Sequence, residues 1–192
     1  MESKLKIRQS VKEFILEFLK IVIISLAIVL PVRYFLIQPF YVRGASMEPN
    51  FHDYEYLIID EISFRFRQPA RGEIVVFRSP YNWQDYFIKR IVGLPGEKIV
   101  INNDEIYIYN DNYKYGFKLN EASYLEGWVK TLGEVNLKLE DNEYFVLGDN
   151  RSSSLDSRVF GAVSREQIIG RAWLRGWPIS RWGHFTTPLY EY

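Results

Sequence analysis

Cysteine is absent from this 192-residue chain, and histidine occurs only twice, at His52 and His184. Without cysteine there is no disulfide framework, no thiolate zinc site and no thiol nucleophile. Two histidines are few for a Ser-His-Asp triad or a catalytic zinc. His52 lies six residues after Ser46 in a turn-like Asn50-Phe51-His52-Asp53, and His184 sits in a Gly/Thr/Pro-rich tail. No metal is expected, although carboxylate-only magnesium or calcium sites stay open on composition alone. An excess of either charge is also missing. The 24 Lys+Arg balance 24 Asp+Glu, which removes the basic field of a dedicated nucleic-acid binder. What the chain does have is aromatic side chains, 17% of the total with 14 Tyr and 5 Trp.

The zero net charge hides an uneven distribution. Residues 1–13 carry Lys4, Lys6, Arg8 and Lys12 against Glu2 and Glu13 and form a basic leader. An apolar segment, 14–37, follows, with an uncharged centre from Ile21 to Val32. That centre spans roughly 18 Å as a helix, less than the ~30 Å of a bilayer core, and the whole segment spans about 36 Å. The longer version includes Glu17, Lys20 and Arg33; the two cations can snorkel to opposite interfaces. A basic leader before an apolar run predicts a single membrane-spanning anchor with a cytoplasmic N-terminus, which Pro31 kinks or ends near the outer face. The bland alternative is a buried core helix. No Ala-x-Ala-like site follows the run, so the segment reads as an uncleaved anchor rather than a removed signal. The remainder, 38–192, holds 18 basic and 21 acidic residues, a net of −3, and nucleic acid is not its expected partner.

That remainder reads as β. Tyr56–Ile59, Glu73–Phe77, Tyr86–Val92, Lys98–Ile101, Glu105–Tyr109, Glu143–Leu147 and Ala172–Leu174 are short runs rich in Ile, Val, Tyr and Phe, set apart by turn residues. Asn102-Asn103-Asp104 looks like a hairpin turn. Ser164–Ile169 reads as a short helix, with Ser164 and Gln167 as a capping box and Gly170 as its stop. Residues 110–140 are a polar, weakly patterned insertion.

Three clusters carry chemistry. In Gly44-Ala45-Ser46-Met47-Glu48-Pro49, small residues leave room for an approaching peptide and place Ser46 on a tight corner; by itself this is an ordinary loop composition. The strand Tyr86–Val92 is interrupted by Lys89 and Arg90, which point to opposite, equally apolar faces. At least one cation is then drawn out of water. A desolvated lysine loses its proton more easily and can serve a serine as base without histidine, whereas a snorkelling edge lysine is the commoner fate. The third cluster is Gly148-Asp149-Asn150-Arg151 with Ser154, Asp156, Ser157 and Arg158. There Asp149 or Asp156 can neutralise Arg90, and Ser154 can hold the lysine amine.

Ser46-Met47-x-Pro49, Arg71-Gly72-Glu73-Ile74-Val75-Val76-Phe77, Phe87-Ile88-Lys89-Arg90-Ile91-Val92-Gly93-Leu94-Pro95-Gly96 and Gly148-Asp149-Asn150-Arg151-x-x-Ser154-x-Asp156-Ser157-Arg158 resemble, in order and spacing, the bacterial type I signal peptidases. The resemblance covers about residues 15–182. It implies a mainly β, antiparallel-sheet catalytic domain on the outer leaflet behind one N-terminal transmembrane helix. The implied activity is that of a membrane-bound serine endopeptidase which cleaves signal peptides from exported preproteins after small residues, with no cofactor. Its implied partners are signal peptides and the lipid bilayer. By the same resemblance Ser46 is the nucleophile and Lys89 the general base, while Ser154 orients the lysine. Arg90, Asp149, Asp156 and Arg158 form a supporting ionic network, and Phe40, Val42, Met47 and Ile88 line shallow substrate pockets. Some family members carry a hydroxyl donor for the oxyanion two residues before the nucleophile; Gly44 stands there in this chain, as in other members, so that side chain supplies no second donor and its source is open. A membrane-tethered, non-catalytic β module of the same fold is the alternative. The self-cleaving repressors, similar around their own Ser and Lys, are soluble and carry a DNA-binding segment, which suits neither the anchor nor the acidic domain.

Overall fold

The computed structural model describes residues 2–35, 38–188 and 190 and divides at Gln38/Pro39 into two units. The first is a single helix, α1 (Glu2–Phe35). Pro31 does not end it: the helix runs on to Phe35, since a proline removes one N–H bond and leaves the other helical bonds in place. The last two residues of the expected anchor, 36 and 37, and the side chain of Arg33 lie outside the described residues. Between Val11 and Leu30 the apolar side chains are exposed around the whole helix, Val22 being half-buried. No helix, over the described residues, is long and apolar enough to cross a membrane; that stretch includes Lys12, Glu13, Glu17 and Lys20.

The second unit is mainly antiparallel β. Its strands are β1 (Gln38–Tyr41), β2 (Tyr56–Asp60), β3 (Ile74–Arg78), β4 (Tyr86–Gly93), β5 (Lys98–Asn102), β6 (Glu105–Tyr109), β7 (Phe117–Lys118), β8 (Val135–Lys138), β9 (Glu143–Leu147), β10 (Val163–Ser164), β11 (Ile168–Trp177) and β12 (Gly183–His184). Short helices α2 (Ser63–Phe66) and α3 (Ser157–Phe160) join them. One sheet runs β1-β2-β11-β3-β4-β9-β10 with β12 on β11; the other runs β7-β6-β5-β8. The Asn103-Asp104 turn has positive φ at both residues, the backbone of a tight two-residue hairpin, and Asn102 pairs with Glu105 across it.

Two expectations change here. Ser164–Ile169 is not a helix: a three-residue 3-10 turn (Arg165–Gln167) leads into β11, although Ser164 N–H does donate to Gln167 Oε1 at 2.9 Å as the capping pattern requires. Gly170 is a strand residue whose missing Cβ would come within 2.7 Å of Asp60 O, so it permits close pairing with β2 rather than stopping a helix. The insertion 110–140 is also less formless than its composition suggests, since β7 and β8 flank the β5–β6 hairpin.

β4 contributes to all three hydrophobic clusters. Val92 packs with Ile99, Ile108 and Phe145; Ile88 lies against Val42, Met47 and Val76; Phe87 and Ile91 join Phe77, Tyr144 and Val146. Its two cations are therefore surrounded by core. Lys89 is 4% and Arg90 3% exposed.

Candidate active site

Ser46 opens a turn closed by Glu48 N–H to Ala45 O (3.1 Å) and Phe51 N–H to Met47 O (2.9 Å). Before it, Gly44 adopts φ +87°, and its N–H donates to Asp53 Oδ1 at 2.9 Å. A Cβ there would meet nothing within 4 Å, so conformation and not crowding calls for glycine. The loop after β9 holds the turn from the other side. Asn150 N–H donates to Ser46 O and its Nδ2 to Ala45 O, both at 3.1 Å. Gly148 makes this approach feasible, because a Cβ would lie 2.4 Å from Ser46 O and 2.1 Å from Ser154 Oγ.

Lys89 Nζ donates to Ser46 Oγ at 2.7 Å and to Ile88 O at 2.9 Å. Burial pushes its amine down to about 8, against the opposing pull of the Asp156 and Asp149 carboxylates. An amine so close to losing its proton, in contact with a serine hydroxyl, can take that hydroxyl's proton and hand it to a leaving group. Arg90 is neutralised by Asp149 and not by Asp156: Nε–Oδ1 is 2.8 Å and Nη2–Oδ2 2.7 Å, while Nη1 donates to Gly72 O. The Tyr124 ring covers this guanidinium at 4.0 Å. Asp156 instead receives a two-point bond from Arg158 (2.8 Å each) and accepts from Gly148 N–H at 3.1 Å. Arg158 also donates to Arg151 O.

The structure brings Ser46, Lys89, Arg90, Asp149, Asp156 and Arg158 together. Ser154 lies beside them, but no hydrogen bond joins it to Lys89. Its buried Oγ has no hydrogen-bond partner among the described residues. A groove of about 620 Å³ runs past Ser46 and Lys89, lined by Phe40, Val42 and Ile88 among others. Met47 departs from the expected pocket set. It is fully buried and packs with Phe51 and Ile59, because the turn after Ser46 directs it into the core. Sequence reasoning assigned no role to Asn150, Asn50 or Tyr124. Asn50 Nδ2 donates to Asp149 Oδ2 at 2.8 Å, a link no spacing rule reveals across 99 residues. Among the described residues no three His, Asp or Glu side chains are grouped to hold a metal ion.

Known proteins resemble this chain over most of its length. Residues 15–177 match the family model described as "Signal peptidase, peptidase S26". A probable signal peptidase I-2 of Synechocystis sp. is 37% identical over 176 residues, covering 89% of this chain and 77% of its own. Signal peptidase IB of Staphylococcus aureus is 33% identical over 187 residues, covering 92% and 97%. A crystal structure of a signal peptidase I from Enterococcus faecalis matches 55% of this chain and 97% of its own, with 31% identity and a TM-score of 0.44. With a family model spanning most of its length and relatives this similar, the chain belongs to the signal peptidase family, peptidase S26.

Proposed function

We propose that this protein is a membrane-bound serine endopeptidase that cleaves N-terminal signal peptides from exported preproteins with Ser46 as nucleophile and Lys89 as general base. The observation that carries the reading is the 2.7 Å contact between Ser46 Oγ and a buried amine depressed to about 8. Deprotonated Lys89 takes the Ser46 proton as Oγ attacks the scissile carbonyl, and it returns that proton to the departing amine. It then activates the water that releases the acyl group. The Ser46 backbone N–H donates to the oxyanion, and Asp149, Arg90, Asp156 and Arg158 hold the two loops in register. Phe40, Val42 and Ile88, bordering the groove, suit small apolar side chains next to the cut.

Membrane attachment rests on 14–37 as an anchor. A helical stretch apolar on every face, as α1 is from Ile21 to Leu30, finds a stable place inside a protein core or a bilayer, and that uncharged run continues in sequence through Pro31 and Val32. The excess of Lys and Arg in 1–13 supports an N-terminus in the cytoplasm and a β unit outside. Exposed Tyr41, Tyr54, Tyr56 and Trp177 offer the amphipathic rings that favour a lipid interface.

The test is incubation of the detergent-solubilised protein with an exported preprotein, followed by sequencing of the new N-terminus. The expected product begins directly after a small residue at the end of the signal peptide, and a chelator leaves its yield unchanged. An intact preprotein would overturn the reading and leave a non-catalytic β module.

A further inference from the structure

A second cluster of buried charge lies at the far end of the Ser46 turn. Glu55, 2% exposed, sits between two arginines: its Oε2 is 2.8 Å from Arg175 Nε and its Oε1 accepts from Arg181 Nη1 at 2.7 Å. The first is an ion contact whose angle is not that of a hydrogen bond. Both guanidinium groups then reach the turn. Arg175 Nη2 donates to Asn50 O, and Arg181 Nη2 contacts Pro49 O at 3.4 Å. Arg175 also lies over the rings of Phe51 (5.5 Å) and Phe185 (5.1 Å), which stack on each other. The cavity of about 730 Å³ beside this cluster is lined by Asn50, Phe51, Arg90, Arg175 and Arg181 among others and shares no lining residue with the substrate groove.

A buried pair, Glu55 and Arg175, with the half-buried Arg181 beside it, would be costly if it only served stability, since apolar residues of similar size pack as well. Here they terminate on backbone carbonyls three and four residues after Ser46. The turn between is closed by its own hydrogen bonds, so a shift at Asn50 reaches Ser46. Asn50 faces both ways: its carbonyl is held by Arg175, while its side-chain amide donates to Asp149 Oδ2 and to Tyr124 O. Asp149 in turn holds Arg90, the neighbour of Lys89.

We propose that Glu55, Arg175 and Arg181 form a positioning strut that keeps Ser46 Oγ within hydrogen-bond reach of Lys89 Nζ, with Asn50 joining the strut to the Asp149–Arg90 pair. None of the four touches the reacting atoms; they act through the turn. The strut rests on the Ser46/Lys89 reading only for its catalytic consequence. Its geometric consequence, the burial of the Lys89 amine, is separately measurable. The groups facing that amine are Ser46 Oγ, Ile88 O and the carboxylates of Asp149 and Asp156.

The test uses the full chain with Asn50→Ala, Glu55→Gln and Arg175→Lys. Preprotein cleavage is measured as separate kcat and KM, thermal unfolding is followed, and the Lys89 amine is titrated by NMR. In Asn50→Ala and Glu55→Gln, kcat is expected to fall on the order of 10²-fold with KM nearly unchanged, the effect of a displaced reacting group. The Lys89 titration moves upward as water reaches it. Arg175→Lys keeps a cation against Glu55 and recovers part of the rate. Asn50 is half-buried and its truncation opens little space, so Asn50→Ala decides the matter if a strut variant fails to fold. An unchanged Lys89 titration and kcat in folded Asn50→Ala overturns the strut. A wild type that cleaves no preprotein, with the Lys89 titration still displaced in Asn50→Ala, overturns the peptidase reading and upholds the strut.

Discussion

The two sheets of the β unit treat charge in opposite ways. In the small sheet, β5 and β6 alternate between buried and half-exposed residues, and the ion pairs lie at the surface: Glu105 of β6 meets Lys118 of β7, and Asp104 in the hairpin turn meets Lys130. In the large sheet, β4 from Lys89 to its end and nearly all of β3 and β9 are buried on both faces. Lys89 and Arg90 are almost wholly withdrawn from water there and must find partners or lose charge. Arg90 finds a carboxylate, whereas Lys89 finds a serine hydroxyl and a carbonyl. The same residue type is decoration in one sheet and the proposed base in the other, and the difference is made by what covers the strand.

Breaking the contrast at its centre has the largest expected effect. Ser46→Ala and Lys89→Met should each lower preprotein cleavage by more than about 10³-fold while leaving circular dichroism unchanged, since the proposed nucleophile and base act as a unit. Next comes the pair beside it. Asp149→Asn leaves Arg90 buried without its counter-charge and should destabilise the β unit by about 3–5 kcal/mol in denaturant unfolding.

Lys89→Met should carry the opposite sign in stability. With its amine at about 8 in the fold against 10.5 when unfolded, Lys89 is charged in both states at neutral pH and bears the full burial cost. Stability therefore rises with pH between those values as the folded protein alone sheds its proton. The variant should gain up to about 3 kcal/mol at neutral pH, shrinking to nothing above the upper value. Lys118→Ala, in the small sheet, should change neither melting temperature nor cleavage rate, because an exposed ion pair contributes little.

The strands of both sheets were legible because their apolar runs and turn residues are local signals; Glu105–Tyr109 and Glu143–Leu147 coincide with β6 and β9. β11 was expected as three residues and has ten, since Gly170, Arg171 and Arg175 break an apolar pattern that pairing with β2 and β3 on its two edges overrides. β1, β7, β8, β10 and β12 went unread, being only two to four residues long. At the site, Lys89 and Arg90 stood out because two adjacent cations contradict an apolar strand. The partners that decide their fates did not: Asn50 and Asp149 are 99 residues apart, and only the fold brings them together. Met47 shows the limit from the other side, since a residue beside Ser46 in sequence is turned into the core and does not line the groove.

The most direct measurement is the pH dependence of preprotein cleavage, as kcat/KM, for the wild-type chain and Lys89→Met. The dyad predicts a rate that rises with pH through a single ionisation near 8, where Lys89 gives up its proton, and a variant with no such limb and negligible turnover. A rate that is flat across that range, or a Lys89→Met protein that cleaves as the wild type does, would contradict it.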